Sequence, residues 1–526
     1  MKITPARRVY VLGATLCVAL TICSRHFGDR GGPYFMASLA LAGIAYLLAI
    51  REFFATPRFE RSVSRRVVII GLVLAAVWHI AFLRLPPGAD DDIHRYVWDG
   101  RLQRLGYNPY IVVPGDPAVK GLHTPETLNL NNPDLPSPYP AGAQLFFRAV
   151  TAIQESTFAF KVAFVVCEFA IAFVLLDVLR RSGQGQEQRS HLVLAFAWNP
   201  LLAIEVAGSG HIDIVGALLL VVSAAALVRR WRATAAVALG LAIAVKFLPV
   251  VLLPLYWKRV RIRDAALAAA VVGLLYLPFL NRSFFNHGRI PIGSLGTYVQ
   301  NFRFNGPVFA ALHQVAPPQL LIGLAVLVGL ATATWYRIRS AGPELSPDQF
   351  AWPMAASLLC APVVFPWYLL WLLPFLTSAS TLLILIWTVS IIPVYVQWHL
   401  RTLGRPWGTL PGWVLLLEYG CLAAAISDVG LDAADHRLDC EHYPHLRYVA
   451  LAHTWASVGA ASWLGNAAGI RTRGRGQCNS RFAPDHTIGR TPRPSGPGRV
   501  KATAAHAILV SRNLCASSNT TFISFH

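Results

Sequence analysis

Apolar runs and polar breaks alternate along most of the chain at a spacing that fits a bilayer better than a soluble core. Runs of roughly 17 to 25 residues are long enough for a helix to cross the hydrocarbon layer. They fall at about 9–24, 35–50, 67–83, 158–179, 191–208, 212–228, 233–257, 263–280, 317–336, 350–375, 380–397 and 410–428. The pattern predicts an all-α integral membrane protein, a multi-pass bundle of about 11–13 helices. Two polar stretches, 84–157 and 281–316, are longer than ordinary connections and are expected as outer loops. The run 233–257 carries Lys246 and is divided at Pro249 and Pro254. A single crossing there would put Lys258, Arg259, Arg261 and Arg263 outside, against the positive-inside rule. A re-entrant helical hairpin removes the conflict.

Composition agrees. The chain is 55% hydrophobic with a mean hydropathy of +0.48, too apolar for a soluble protein. Its formal charge of +20 is spread between the apolar runs, as the positive-inside rule expects, so no nucleic-acid partner is implied. Arg51, Arg58, Arg61, Arg65, Arg66, Arg180, Arg181, Arg229, Arg230, Arg232, Arg337 and Arg339 then mark cytoplasmic loops. The basic N-terminal segment lacks a small-residue cleavage site and reads as a retained first helix with its N-terminus inside. Eight cysteines show no paired or metal-like spacing. Residues 1–430 form the transmembrane domain, and 431–526 read as a divergent, basic, disordered tail. No GxxxxGK[ST] motif occurs, so a transferase here needs a donor already activated and already in the membrane.

The first outer loop carries Ala89-Asp90-Asp91-Asp92-Ile93-His94-Arg95-Tyr96-Val97-Trp98-Asp99-Gly100 and, further on, Gly106-Tyr107-Asn108-Pro109-Tyr110. A helix starting near Asp91 sets Asp92, Arg95, Tyr96 and Asp99 on one side, and Gly106 is placed to end it. Ile93, Val97, Tyr96 and Trp98 suit a helix lying in the membrane interface. Adjacent like charges raise the pKa of at least one carboxyl among Asp90, Asp91 and Asp92, which suits a general base for an acceptor hydroxyl. The same cluster suits a divalent cation, or simply a solvated helix N-terminus.

Lys246 lies in an apolar run, where a lone cation is costly. It faces a lipid phosphate, snorkels, or pairs with an acid such as Glu205 or Asp213. His211 and Asp213 follow Gly208-Ser209-Gly210 at the outer mouth of a helical hairpin, where they bind an acceptor, orient the base or cap a helix. Pro366-Trp367-Tyr368, with Trp371 and Pro374, reads as an aromatic belt or a lipid-chain contact. Sugars need hydrogen bonds and aromatic faces, so Trp98, Asp99, Tyr110, Tyr139 and Tyr298 of the two outer loops join the candidates. No ligand set supports zinc.

These motifs resemble bacterial polytopic glycosyltransferases of the GT-C superfamily. The likeness is strongest to polyprenyl-phosphate-mannose-dependent mannosyltransferases and more distant to the eukaryotic GPI mannosyltransferase. Beyond the first loop it rests on Tyr139-Pro140 with Gln144, Gly210-His211-Ile212-Asp213, Lys246-Phe247-Leu248-Pro249, and Pro366-Trp367-Tyr368 with Pro374, and it covers about residues 70–400. It implies a site on the non-cytoplasmic face and a sugar carried on polyprenyl phosphate. Asp91 or Asp92 becomes the base, Arg95 and Lys246 the donor-phosphate ligands, and His211 and Asp213 the rim. Two departures stand out. Relatives commonly read Tyr-Pro-Pro where this chain has Tyr139-Pro140-Ala141, and nothing after about 430 follows the pattern.

The expectation is therefore an inverting hexosyltransferase of the bacterial cytoplasmic membrane, most directly a mannosyltransferase. Its partners are a polyprenyl-phosphate sugar, a glycan or glycolipid acceptor, and membrane lipids. It requires no cofactor, with a divalent cation left open. The competing class is a transporter or lipid flippase, with Lys246, Asp213 and Glu205 along an intramembrane path.

Overall fold

Helices α1 (Pro5–Arg25) and α2 (Pro33–Ala55) open the chain as a hairpin, each a continuous apolar run long enough to span a bilayer. The computed structural model describes residues 4–55, 59–88, 91–128, 130–181, 187–280, 291–339, 345–408 and 410–435. Among these, seven helices are long and apolar enough to cross a membrane, making this a multi-pass, helical membrane protein. The short exceptions are a two-residue antiparallel ladder, Phe59–Glu60 with Glu187–Gln188, and an isolated parallel bridge between Phe304 and Val363. Asp90 lies outside the described residues, as does the expected tail 431–526 from residue 436 on; its first five residues, 431–435, continue the helix Gly412–Asp435 instead of being disordered.

Side-chain pairs separate two ends of the bundle. At one end Arg8 pairs with Glu52 at 2.9 Å, Arg229 pairs with Asp177, and Arg337 donates from Nε to the Trp257 carbonyl at 2.8 Å. The basic loops gather there. At the other end, past α3 (Arg61–Leu83), the first outer loop folds onto the bundle through α4 (Ile93–Arg104) and α5 (Ala141–Ile153). Helix α6 (Thr157–Arg181) then returns to the basic end.

Helix α4 starts after Asp92 and stops before Gly106, whose φ of +85° takes the left-handed turn that ends helices. Its aromatic and apolar side chains pack into protein. Ile93, Arg95, Tyr96, Val97, Trp98, Asp99, Leu102 and Gln103 are all buried, so protein covers it on nearly every side. The expected span 191–208 is not one continuous helix. Helix α7 (Val193–Ala197) ends at Asn199-Pro200, and the π-helical turn Leu202–Gly208 continues at 65° to the Ser190–Ala197 segment. Proline lacks the amide that would carry the helix through.

Helix α8 (Asp213–Val228) runs to the basic end and α9 (Arg232–Val245) returns toward the loops. At Lys246 the backbone is extended (φ −158°, ψ 144°), and a 3-10 turn, Leu248–Leu252, leads back. Tyr256 OH lies 2.6 Å from Ser223 Oγ, which itself donates to the Ala235 carbonyl at 2.5 Å. Ala235 is in the first turn of α9, so the chain has doubled back into a hairpin here. The run 350–375 is likewise divided, into Asp348–Leu359 and 3-10 turns at Pro366–Trp371 and Leu373–Phe375.

Candidate active site

The adjacent acids at the mouth of α4 have different surroundings. Asp91 is 4% exposed; its Oδ1 lies 2.8 Å from Arg30 Nη2, and its Oδ2 accepts from the Gly88 amide at 2.6 Å. Arg30, from the α1–α2 turn, also donates from Nη1 to Ser209 Oγ at 2.6 Å and lies over the Phe27 ring at 5.0 Å. Asp91 is thus a neutralised structural acid. Asp92 is half-buried, accepts a 2.6 Å hydrogen bond from Asn131 Nδ2, and makes no capping bond to α4.

Arg95 and Asp99 form a buried clamp. Arg95 Nε meets Asp99 Oδ1 at 3.2 Å, and its two Nη atoms donate to the Asn132 and Leu135 carbonyls at 3.3 and 2.6 Å. Asp99 Oδ2 accepts from Ser137 Oγ and, at 2.9 Å, from Gln144 Nε2. Burial pushes the Asp99 carboxyl up, while Arg95, Ser137 and Gln144 pull against it. The arginine expected at a donor phosphate therefore spends its three nitrogens on its own loop.

Asn108 and Tyr110 do similar work. Asn108 Nδ2 donates to the Phe279 carbonyl at 2.8 Å, and Tyr110 OH to the Tyr139 carbonyl at 2.8 Å. Trp98 is fully buried in the loop's own small core with Leu102 and Leu130, stacked on His123 at 4.1 Å. Trp98 and Tyr110, two of the residues expected to touch sugar, make these contacts with protein.

The opposite wall comes from the α7–α8 turn, the α9 break and the Pro366–Trp371 turn. His211 Nδ1 lies 2.9 Å from Glu205 Oε2, and the imidazole stacks on Trp367 at 4.0 Å. Glu205, on the π-helical turn, also accepts from Tyr395 OH. Gly210 takes φ +78°, and a Cβ there would meet Ile93 Cδ1 at 2.4 Å, so glycine lets this turn close against α4. Of the two acids weighed for Lys246, the partner is Asp213: Nζ–Oδ1 is 2.7 Å. Trp371 Nε1 donates to the same oxygen at 2.7 Å, and Lys246 Nζ sits 3.9 Å from the Tyr368 ring centroid. Trp367 and Tyr368 thus face protein polar groups rather than forming a membrane belt.

Trp371 fits because Gly216 leaves a notch; a Cβ there would meet the indole at 1.9 Å. Replacing Trp371 by Phe keeps the ring and removes one of the two donors to a buried carboxylate, a change of about 1–3 kcal/mol. We expect turnover to fall about tenfold, mostly in kcat, with the protein still folded. Unchanged kinetics would detach Trp371 from the site.

Electrostatics tie the two walls together. Burial, then the Asp92 charge, push the Tyr96 and Tyr139 phenols up, and burial with Asp92 does so for Tyr298 despite Arg95. These hydroxyls stay protonated and available as donors. On His211 burial works against charge, yet Glu205, with Asp92 and Asp91, outweighs it and holds the imidazole above its usual range. Asp92 is therefore within electrostatic reach of His211, Tyr96, Tyr139 and Tyr298.

Arg30 and Tyr395 were not legible as site residues, since each acts through a contact far along the chain. Lys161 offered a signal, a cation inside the apolar α6. It is buried and donates from Nζ to the Leu85 carbonyl at 2.6 Å, holding the turn that leads to Asp91.

Residues 14–260 match the model of the MptA_B family, described as alpha-(1->6)-mannopyranosyltransferase, N-terminal domain. The matched stretch is thus similar to a mannosyltransferase N-terminal domain and includes Asp91, Asp92, His211, Asp213 and Lys246. No curated protein and no solved structure matched the chain.

Proposed function

We propose that this chain transfers a hexose, mannose most directly, from a polyprenyl-phosphate donor to a hydroxyl of a glycan or glycolipid. The reading places the reaction on the non-cytoplasmic face of a bacterial cytoplasmic membrane, at the end of the bundle opposite the basic loops. One observation carries it: of two adjacent aspartates, Arg30 neutralises Asp91 at 2.8 Å, while Asp92 stays half-buried, free of capping duty and within reach of the aromatic wall.

In this scheme Asp92 takes the proton of the acceptor hydroxyl as that oxygen attacks the anomeric carbon. The bond from that carbon to the phosphate oxygen breaks, and polyprenyl phosphate leaves with the electron pair. A single displacement inverts the anomeric configuration. Lys246, held at 2.7 Å by Asp213, is the cation for the departing phosphate, with His211 beside it. Arg95, already bonded to Asp99 and two carbonyls, acts by holding the loop.

The donor class is tested in membranes containing the full chain, supplied with labelled polyprenyl-phosphate-mannose or with labelled nucleotide-mannose while polyprenyl-phosphate-mannose synthesis is blocked. Label is expected in glycan only from the lipid donor. Transfer from the nucleotide sugar alone would overturn the proposal. Cysteine labelling at exposed Tyr107, in the first outer loop, is expected from the non-cytoplasmic side; labelling from the cytoplasm would reverse the assigned face.

A further inference from the structure

At the basic end of the bundle, far from Asp92, α2 and the helix Leu382–Ser390 leave an apolar cavity of about 470 Å³. Leu47, Ile50, Phe54, Leu382 and Ile386 line it, and the cation in the lining is Arg51. Arg51 is exposed and makes no ion pair or hydrogen bond among the described residues. The nearest acid in sequence, Glu52, does not neutralise it, because Arg8 holds Glu52 at 2.9 Å.

The position along α2 matters as much as the lining. Arg30 and Asp91 sit beyond the Pro33 end of this helix. At 1.5 Å per residue Arg51 lies about 27 Å further along, close to a bilayer's hydrocarbon thickness of about 30 Å. A donor phosphate that must meet Lys246 cannot also rest on Arg51. The groove therefore opens to the other leaflet, with its one cation at headgroup depth and its apolar wall running into the hydrocarbon. Bulk lipid covers any apolar surface, but a cation set in the groove's own lining, with no acid partner among the described residues, adds a preference by charge at that spot.

We propose that this groove is a binding site for an anionic phospholipid, one acyl chain lying along Leu47, Ile50, Phe54 and Ile386 and the phosphate headgroup resting on Arg51. Zwitterionic lipids have the same chains but bring a cation of their own to the guanidinium, so they compete poorly.

The test is native mass spectrometry of the purified full chain in detergent micelles doped equally with dioleoylphosphatidylglycerol and dioleoylphosphatidylcholine. Wild type is expected to retain the anionic lipid several-fold over the zwitterionic one. Arg51→Gln is expected to lose most of that preference, and Ala55→Trp, at another residue of the lining, puts an indole into the groove and is expected to lose the bound lipid. Both should transfer sugar as wild type does, since neither residue touches the site. Equal retention of the two lipids by wild type, or an unchanged preference in Arg51→Gln, would overturn the proposal. A doubled mass that Ala55→Trp abolishes would do so too, giving the groove to a second copy of the chain.

Discussion

Asp92→Asn is expected to slow sugar transfer by about 100- to 10,000-fold, the range for losing a positioned general base. The yield of folded protein should not change. Asp92 is half-buried, and its carboxylate forms no ion pair among the described residues; Asn131 Nδ2, 2.6 Å away, can donate to an amide oxygen as it does to a carboxylate. The comparison that gives the result meaning is Asp91→Asn, whose single amide oxygen can keep the Gly88 contact while its NH2 faces Arg30, so the bond to Arg30 is lost. Its transfer is expected to stay within about tenfold of wild type once the amount of folded protein is matched, the size of one disturbed supporting contact. Both variants are read in membranes with labelled polyprenyl-phosphate-mannose, beside fluorescence-detected size exclusion for the folded fraction. If Asp91→Asn lost transfer and Asp92→Asn kept it, the roles assigned to the two acids would have to be exchanged.

Arg30→Met carries the second large effect, on stability. It strips the cation from Asp91 while leaving that carboxylate 4% exposed, and removing one member of a buried pair costs about 3–5 kcal/mol. The Ser209 bond from Arg30 Nη1 is lost at the same time, so the α1–α2 turn, the first outer loop and the α7–α8 turn lose their common tie. A sharp fall in thermal stability in detergent is expected. Adding Asp91→Leu removes the stranded charge and should recover most of the loss, because an apolar replacement of a buried pair is often neutral or better. The double variant should also transfer sugar, since Asp92 remains. A double variant as unstable as Arg30→Met alone would mean that the unpaired charge is not the source of the damage.

Much of the fold was legible because membrane helices are written locally. An apolar run of the right length forms its hydrogen bonds within itself, so α1, α2, α3 and α6 follow from composition alone. The same holds for the end of α4 at Gly106, where glycine takes φ +85°, and for the hairpin that turns at Lys246, where prolines and charge placement agree. The 65° break at Asn199-Pro200 carried a local signal too, a proline inside an apolar run, but the run's hydropathy hid it.

The candidate site was only partly legible. The sequence by itself determined that acids, a lysine and a histidine would stand at breaks between apolar runs, because burying such groups in hydrocarbon is costly and the chain can place them only where helices end. It did not distinguish Asp91 from Asp92, which have the same chemistry and adjoin in the chain. That choice was made by Arg30, brought from the α1–α2 turn to within 2.8 Å of one of them. The partner of Lys246 was settled in the same way, by Asp213 and Trp371 meeting at one oxygen. Trp98 and Tyr110 look like sugar contacts in a linear motif, yet the loop folds them into its own packing. A charge's role depends on which charge lies within a few ångströms of it, and among residues far apart in the chain only the tertiary structure decides that.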